Sequence, residues 1–116
     1  MAADAAGIRA GRGWTGTPLA MGVVSYNGAT GAVTYNASPN VQSIAKATDI
    51  GPTGIYRIVL AGESLDLKTH VCMITSVDVY GHDRVSQDGA GNFLVYLGNN
   101  SYIAYDHSFA FVIYKM

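Results

Sequence analysis

From Trp14 to Lys115 the chain is a succession of short β-forming runs, each closed by turn residues, and helical spacing never persists for ten residues. A chain punctuated this densely has to satisfy its backbone by pairing strands. Met21 to Asn27 is rich in β-formers, Gly28-Ala29-Thr30-Gly31 breaks it, and Ala32 to Asn36 resumes, the pattern of a hairpin with a glycine-containing loop. After the Ser38-Pro39-Asn40 turn, Val41 to Thr48 reads as extended, and Gly51-Pro52-Thr53-Gly54 is a strong turn signal. Ile55 to Leu60 alternates, with Tyr56, Ile58 and Leu60 on one face and Arg57 on the other. Thr69 to Tyr80 is the longest strand candidate, setting Thr69, Val71, Met73, Thr75 and Val77 opposite His70, Cys72, Ile74, Ser76 and Asp78. Residues 81–92 read as the main long loop, with a short pairing segment at Arg84-Val85-Ser86. Phe93 to Leu97 follows, then a Gly98-Asn99-Asn100 turn, then Ser101 to Tyr105 as a further strand. The closing run from Ser108 to Lys115 places Phe109, Phe111 and Ile113 opposite Ala110, Val112 and Tyr114.

Eight or so short strands without a credible helix predict an all-β fold, an antiparallel β-sandwich or jelly-roll-like knob over residues 21–116. Residues 1–20 are expected to be an arm, because their Ala- and Gly-rich opening lacks periodicity and its glycines work against a helix. Phe93–Leu97 and Phe109–Tyr114 are apolar on both faces, whereas a strand in a two-layer sandwich has one face toward solvent. Charged residues are 13% of the chain, about half the ~25% of an ordinary soluble domain. Low charge and doubly apolar strands together predict that another subunit covers part of the surface.

The same composition excludes several classes. The net charge is −1 and the seven basic residues are scattered, so no nucleic-acid footprint is present. No apolar run approaches the ~18 residues of a membrane span, and the N-terminus lacks the apolar stretch of a signal peptide, so synthesis in a cytoplasm is expected. The one cysteine, Cys72, precludes an intrachain disulfide and reads as a small buried hydrophobe.

Catalytic constellations are weak. Glu63, the only glutamate, sits in a turn where a solvated charge is the ordinary reading, and glycoside hydrolysis needs a second carboxylate across the bond. Asp106-His107-Ser108 spells a triad in order, but alternation on an extended chain turns His107 away from both neighbours. Asp78, His82 and Asp83 carry cation-ligating groups, although such short polar side chains more often bond their own loop. No metal, no cofactor and no enzymatic activity are therefore expected. The eight tyrosines say more. Tyr80, Tyr102 and Tyr105 lie near strand ends beside His82, Asp83, Arg84, Asn99, Asn100 and Asp106. Aromatic faces mixed with polar groups suit stacking on a sugar ring and bonding its hydroxyls. Tyr80, His82, Asp83, Arg84, Asn99, Asn100, Tyr102 and Tyr105 are thus the candidate ligand-binding set.

The stretch Asn40-Val41-Gln42-Ser43-Ile44-Ala45-Lys46-Ala47, leading to Gly54-Ile55-Tyr56-Arg57-Ile58-Val59-Leu60, resembles a pattern of bacteriophage tail-fibre tip domains. In those domains an Asn-apolar-x-Ser-apolar strand leads through a glycine turn to a Gly-x-Tyr-x-apolar-x-apolar strand. The ending Ser108 to Tyr114 is similar to their closing strand. The resemblance covers about half the chain. It implies a homotrimeric β-sandwich knob on a virion surface, contacting a host glycan or protein, and it carries over no catalytic residues. Such knobs usually follow a long shaft, whereas here a starting Met and a short arm precede the domain. Anchoring to other virion proteins is then expected through that arm, which suits a capsid decoration protein as well as a fibre tip. A free-standing carbohydrate-binding lectin is the reading from another class.

Overall fold

The computed structural model describes residues 17–77 and 81–116. Residues 1–16 of the arm expected over 1–20, and Asp78 and Tyr80 of the candidate residues, lie outside the described residues. Eight strands follow in order: β1 (Ala20–Tyr26), β2 (Val33–Ala37), β3 (Val41–Lys46), β4 (Ile55–Leu60), β5 (His70–Ser76), β6 (Arg84–Gln87), β7 (Phe93–Tyr96) and β8 (Phe109–Lys115). They form two four-stranded antiparallel sheets, one ordered β2-β1-β8-β5 and the other β3-β4-β7-β6. The all-β sandwich expected from the sequence is the fold. The described part of the N-terminal segment is tied to it directly, since the Leu19 N–H donates to the Ile113 carbonyl at 2.7 Å.

Alternation decides what each sheet buries. In the first sheet Val24 and Phe109 are register partners, as are Gly22 and Phe111, and these rows face inward with Ile113. Gly22 has to be glycine, because a Cβ there would stand 2.7 Å from the Ala37 Cβ and 2.9 Å from the Phe111 ring. From the second sheet Tyr56, Ile58, Phe93 and Val95 meet them, all buried, with the Tyr56 and Phe109 rings edge to face at 5.5 Å.

The outer faces differ. On the second sheet, Ala45, Arg57, Leu94 and Ser86 form one outward row across the four strands. Arg57 donates through Nε to Asp88 at 3.0 Å and through its other nitrogens to Asp49 at 3.1 and 2.9 Å, on the face that carries Leu94. Leu94 is only 3% exposed. The next row brings Arg84 over Tyr96. Strand β7 is therefore covered on both faces within one chain, and its apolarity gives no reason for a second subunit. Among the described residues the first sheet has no such cover. The outward rows are Val23–Ala110–Thr75, Met21–Val112–Met73 and Tyr114–Val71, and Met21, Val23, Met73 and the adjacent Val77 are about half exposed.

The pairing segment expected at Arg84-Val85-Ser86 is strand β6, paired along its length with β7. One expectation about the chain's second half needs correction. Residues 101–105 are not a strand. The Asn99 side-chain oxygen accepts the Ser101 and Ile103 N–H groups at 2.9 and 3.1 Å, which curls the backbone into a turn, and only an isolated bridge from Ala104 to Gly98 remains.

Candidate ligand-binding cleft

At the end of the second sheet the segments 81–84 and 96–104 enclose a cleft of about 400 Å³, lined by His82, Asp83, Arg84, Tyr96, Leu97, Gly98, Tyr102 and Ala104. That volume lies within the range of small-molecule sites. The walls are set by backbone bonds. The His82 N–H donates to the Gly98 carbonyl at 3.0 Å, Tyr102 N–H to Asn99 at 3.0 Å, and Tyr105 N–H to Leu97 at 3.1 Å. The turn holds Tyr102 at φ 62°, a left-handed conformation that costs a non-glycine residue about 1–2 kcal/mol. Its ring stands 78% exposed and stacks on His82, the centroids 3.9 Å apart and the planes 22° from parallel.

Across the cleft, Arg84 and Tyr96 are direct register partners, and the guanidinium lies 3.9 Å from the centre of the Tyr96 ring. Stacking occupies a flat face of the guanidinium and leaves its N–H edge available. Among the described residues, neither Arg84 nor the His82 ring has a hydrogen-bond or carboxylate partner.

Asp83 points the other way, as alternation requires. Its carboxylate accepts the Ser76 hydroxyl at 2.7 Å, faces His107 Nε2 at 3.2 Å and receives the Gly98 N–H at 3.4 Å. His107 is buried and its Nδ1 stands 2.8 Å from the Ser108 carbonyl. The ring nitrogens of His107 thereby bridge Asp83 and the Ser108 carbonyl. Asp83 and His107 thus pair with each other beneath the cleft. No Cβ fits at Gly81, whose position is 2.6 Å from Ser76 Oγ and 2.9 Å from His107 Nε2. The network fills the space under the site.

Of the eight candidate residues, the structure brings His82, Asp83, Arg84 and Tyr102 together, with Asp83 as support beneath rather than as a ligand group. Asn99 spends its side chain on the turn, Asn100 is an exposed turn residue outside the cleft, and Tyr105 is half exposed with its ring 6.4 Å from His107. Tyr80 lies outside the described residues. Sequence reasoning missed Tyr96, whose role depends on the β6–β7 register. His82 and Asp83 diverge, so they cannot share a cation, and among the described residues no group of three or more His, Cys, Asp or Glu side chains is placed to hold a metal ion.

The triad spelled by residues 106–108 disperses as alternation requires. Asp106 accepts Lys46 Nζ at 2.8 Å, the Gly54 N–H at 2.8 Å and the Tyr56 hydroxyl at 2.9 Å. His107 belongs to Asp83, and Ser108 Oγ accepts the Tyr26 N–H at 2.9 Å. Glu63 is not a free solvated charge either. It pairs with His70 Nε2 at 2.8 Å and Lys115 Nζ at 3.0 Å, and the hydrogen bond from His70 followed by that from Lys115 holds its carboxyl below the usual range. Comparison with known proteins finds no matching family model, no matching curated protein and no matching solved structure, so the reading of the cleft rests on its own chemistry.

Proposed function

We propose that the chain is a virion-surface knob of the tail-fibre tip kind, a homotrimer that attaches to a host cell by binding surface saccharide in the His82–Tyr102 cleft. The observation that carries this reading is the pair of aromatic surfaces at the cleft, Tyr102 with His82 on one side and Tyr96 under Arg84 on the other. A strained backbone that presents a tyrosine to solvent is stabilised by its surroundings only at a cost, and such strain is typical of binding sites. The apolar face of C–H groups on a pyranose ring packs against an aromatic face, while its hydroxyls need donors and acceptors at the edge. The cleft offers both.

Assembly in this reading runs through the outer face of the β2-β1-β8-β5 sheet, whose exposed methionines and valines are covered by none of the described residues. The same apolar face also suits a capsid decoration protein, which would need no saccharide cleft. Fluorescently labelled protein added to host cells, and in parallel to purified capsids, separates the two. Attachment predicts saturable binding to cells that Tyr102→Ala abolishes and no binding to capsids. Binding to capsids alone, unaffected by Tyr102→Ala, refutes it in favour of decoration.

A further inference from the structure

Resting on the reading of the cleft as a saccharide site, we propose that its ligand is an acidic sugar, a ring bearing a carboxylate, with Arg84 as the residue that selects the charge. Of the cations described, Lys46 is committed to Asp106, Arg57 to Asp49 and Asp88, and Lys115 to Glu63, while Lys68 stands exposed in the turn before β5, away from the cleft. Arg84 has no carboxylate among the described residues and lines the cleft instead. The one acid in the cleft wall does not compensate it. Asp83 turns away from the opening, and its carboxylate is bonded beneath by the Ser76 hydroxyl and His107 Nε2. Among the described residues, Arg84 is therefore a cation in the cleft wall with no carboxylate of its own.

The orientation of that charge matters as much as its sign. A guanidinium whose central carbon stands over the Tyr96 ring, 3.9 Å from its centre, is restrained by that contact while its N–H groups remain free to donate. A carboxylate is the planar acceptor that fits such groups through two parallel hydrogen bonds. The His82 ring, stacked on Tyr102 and without a hydrogen-bond partner among the described residues, adds a second polar edge on the opposite wall. A sugar lying against Tyr102 would reach Arg84 with a ring carboxylate and His82 with a hydroxyl. A neutral sugar would leave the Arg84 edge without its anion.

The test is titration of the purified chain with a uronic-acid-bearing oligosaccharide, a sialylated oligosaccharide and the carboxyl-reduced counterpart of each. At least one acidic form should bind about tenfold or more tightly than its reduced form, the scale of a charge-assisted hydrogen-bond pair. Arg84→Gln should erase that preference and leave the weaker binding of the reduced form, and Tyr102→Ala should weaken both forms. Equal affinity for acidic and reduced forms overturns the selection of charge and leaves the saccharide reading standing. Binding of neither form, or equal binding of an oligoglutamate peptide, overturns the saccharide reading itself. If Arg84→Gln fails to fold, the acidic-to-reduced comparison on the unaltered chain still decides the question.

Discussion

Tyr102 couples strain to exposure, and that coupling can be measured. At φ 62° the Cβ crowds the backbone, so glycine relieves a cost of about 1–2 kcal/mol while giving back part of it through its freer unfolded chain. Tyr102→Gly is therefore expected to leave thermal stability unchanged or raised by up to about 1 kcal/mol, and to lose saccharide binding. A residue kept for packing would show a fall in stability instead, and a denaturation curve beside a binding titration distinguishes the two. Cys72 makes the opposite case. Burial pushes its thiol up to about 12, and its side chain packs against the core. At pH 8 its thiolate fraction is roughly three orders of magnitude below that of an ordinary thiol near 8.5. Thiol-disulfide reagents should label it about a thousandfold more slowly in the native protein than in denaturant, and labelling at the denatured rate would show that the core opens. The strand around Cys72 marked it as a small hydrophobe, and the fold leaves it partly buried against the core. Tyr96 was not, because nothing along the chain marks it as the partner of Arg84 until the β6–β7 register puts them side by side.

Among the elements, the strands announced by alternation with glycine-bounded turns were legible, and those shaped by side-chain bonds to the backbone were not. The hairpin of β1 and β2 and the inward faces of β4 and β8 follow from spacing alone. Strand β6 shows in the sequence only as a short pairing segment within a polar stretch, because its outer residues, Arg84 and Ser86, lie on the solvent side of the sheet. Residues 101–105 look like a strand by composition, yet Asn99 captures their N–H groups first. The connection between β3 and β4 has a similarly local cause. Gly54 sits at φ 75°, and a Cβ there would lie 2.6 Å from the Leu97 carbonyl oxygen and 3.0 Å from the Tyr105 nitrogen. Gly54→Ala should cost about 2 kcal/mol or more in chemical denaturation. The Gly54 N–H also anchors Asp106, which joins the segment before β8 to the ends of β3 and β4. Burial alone would raise that carboxyl, but Lys46, the Gly54 N–H and the Tyr56 hydroxyl together outweigh it and hold it below its ordinary value. An acid depressed in the fold contributes stability above its unfolded pKa of about 3.9 and loses it as pH falls through the lower native value. Asp88 and Glu63 are shifted in the same direction, so stability should be level above about pH 5 and fall steeply below pH 4. Asp106→Asn should lower stability at pH 7 by about 1–3 kcal/mol and reduce the further loss in acid. A variant whose acid profile stays parallel to that of the unaltered chain would remove Asp106 from this account.

At the scale of the molecule, the two sheets are built to different rules on their outer faces. One is closed by its own polar side chains, with Arg57 held by Asp49 and Asp88 and Arg84 on Tyr96; the other presents Met21, Val23 and Met73 with no charged residue in its central rows. The sequence argument for assembly drew on both β7 and β8, and only the β8 half of it remains. That narrows where the subunits of the proposed trimer would meet. If three chains join through this face, the contact is apolar, and its strength depends on area removed from water and hardly on salt. Sedimentation equilibrium should then show a trimer at micromolar concentration that persists in 1 M NaCl, whose screening length of about 3 Å would weaken an interface held by ion pairs. Met73→Asp places a charge in the middle of the outer row, where neighbouring β8 contributes Val112. A strand position already 56% exposed tolerates that change in the monomer, so the expected result is a folded monomer with an unchanged melting profile at low concentration. A trimer unaffected by Met73→Asp would place the interface elsewhere. A monomer of the unaltered chain under all conditions would mean that the apolar face serves another partner, and the cleft at the far sheet would then have to bind without the multivalency that three copies provide.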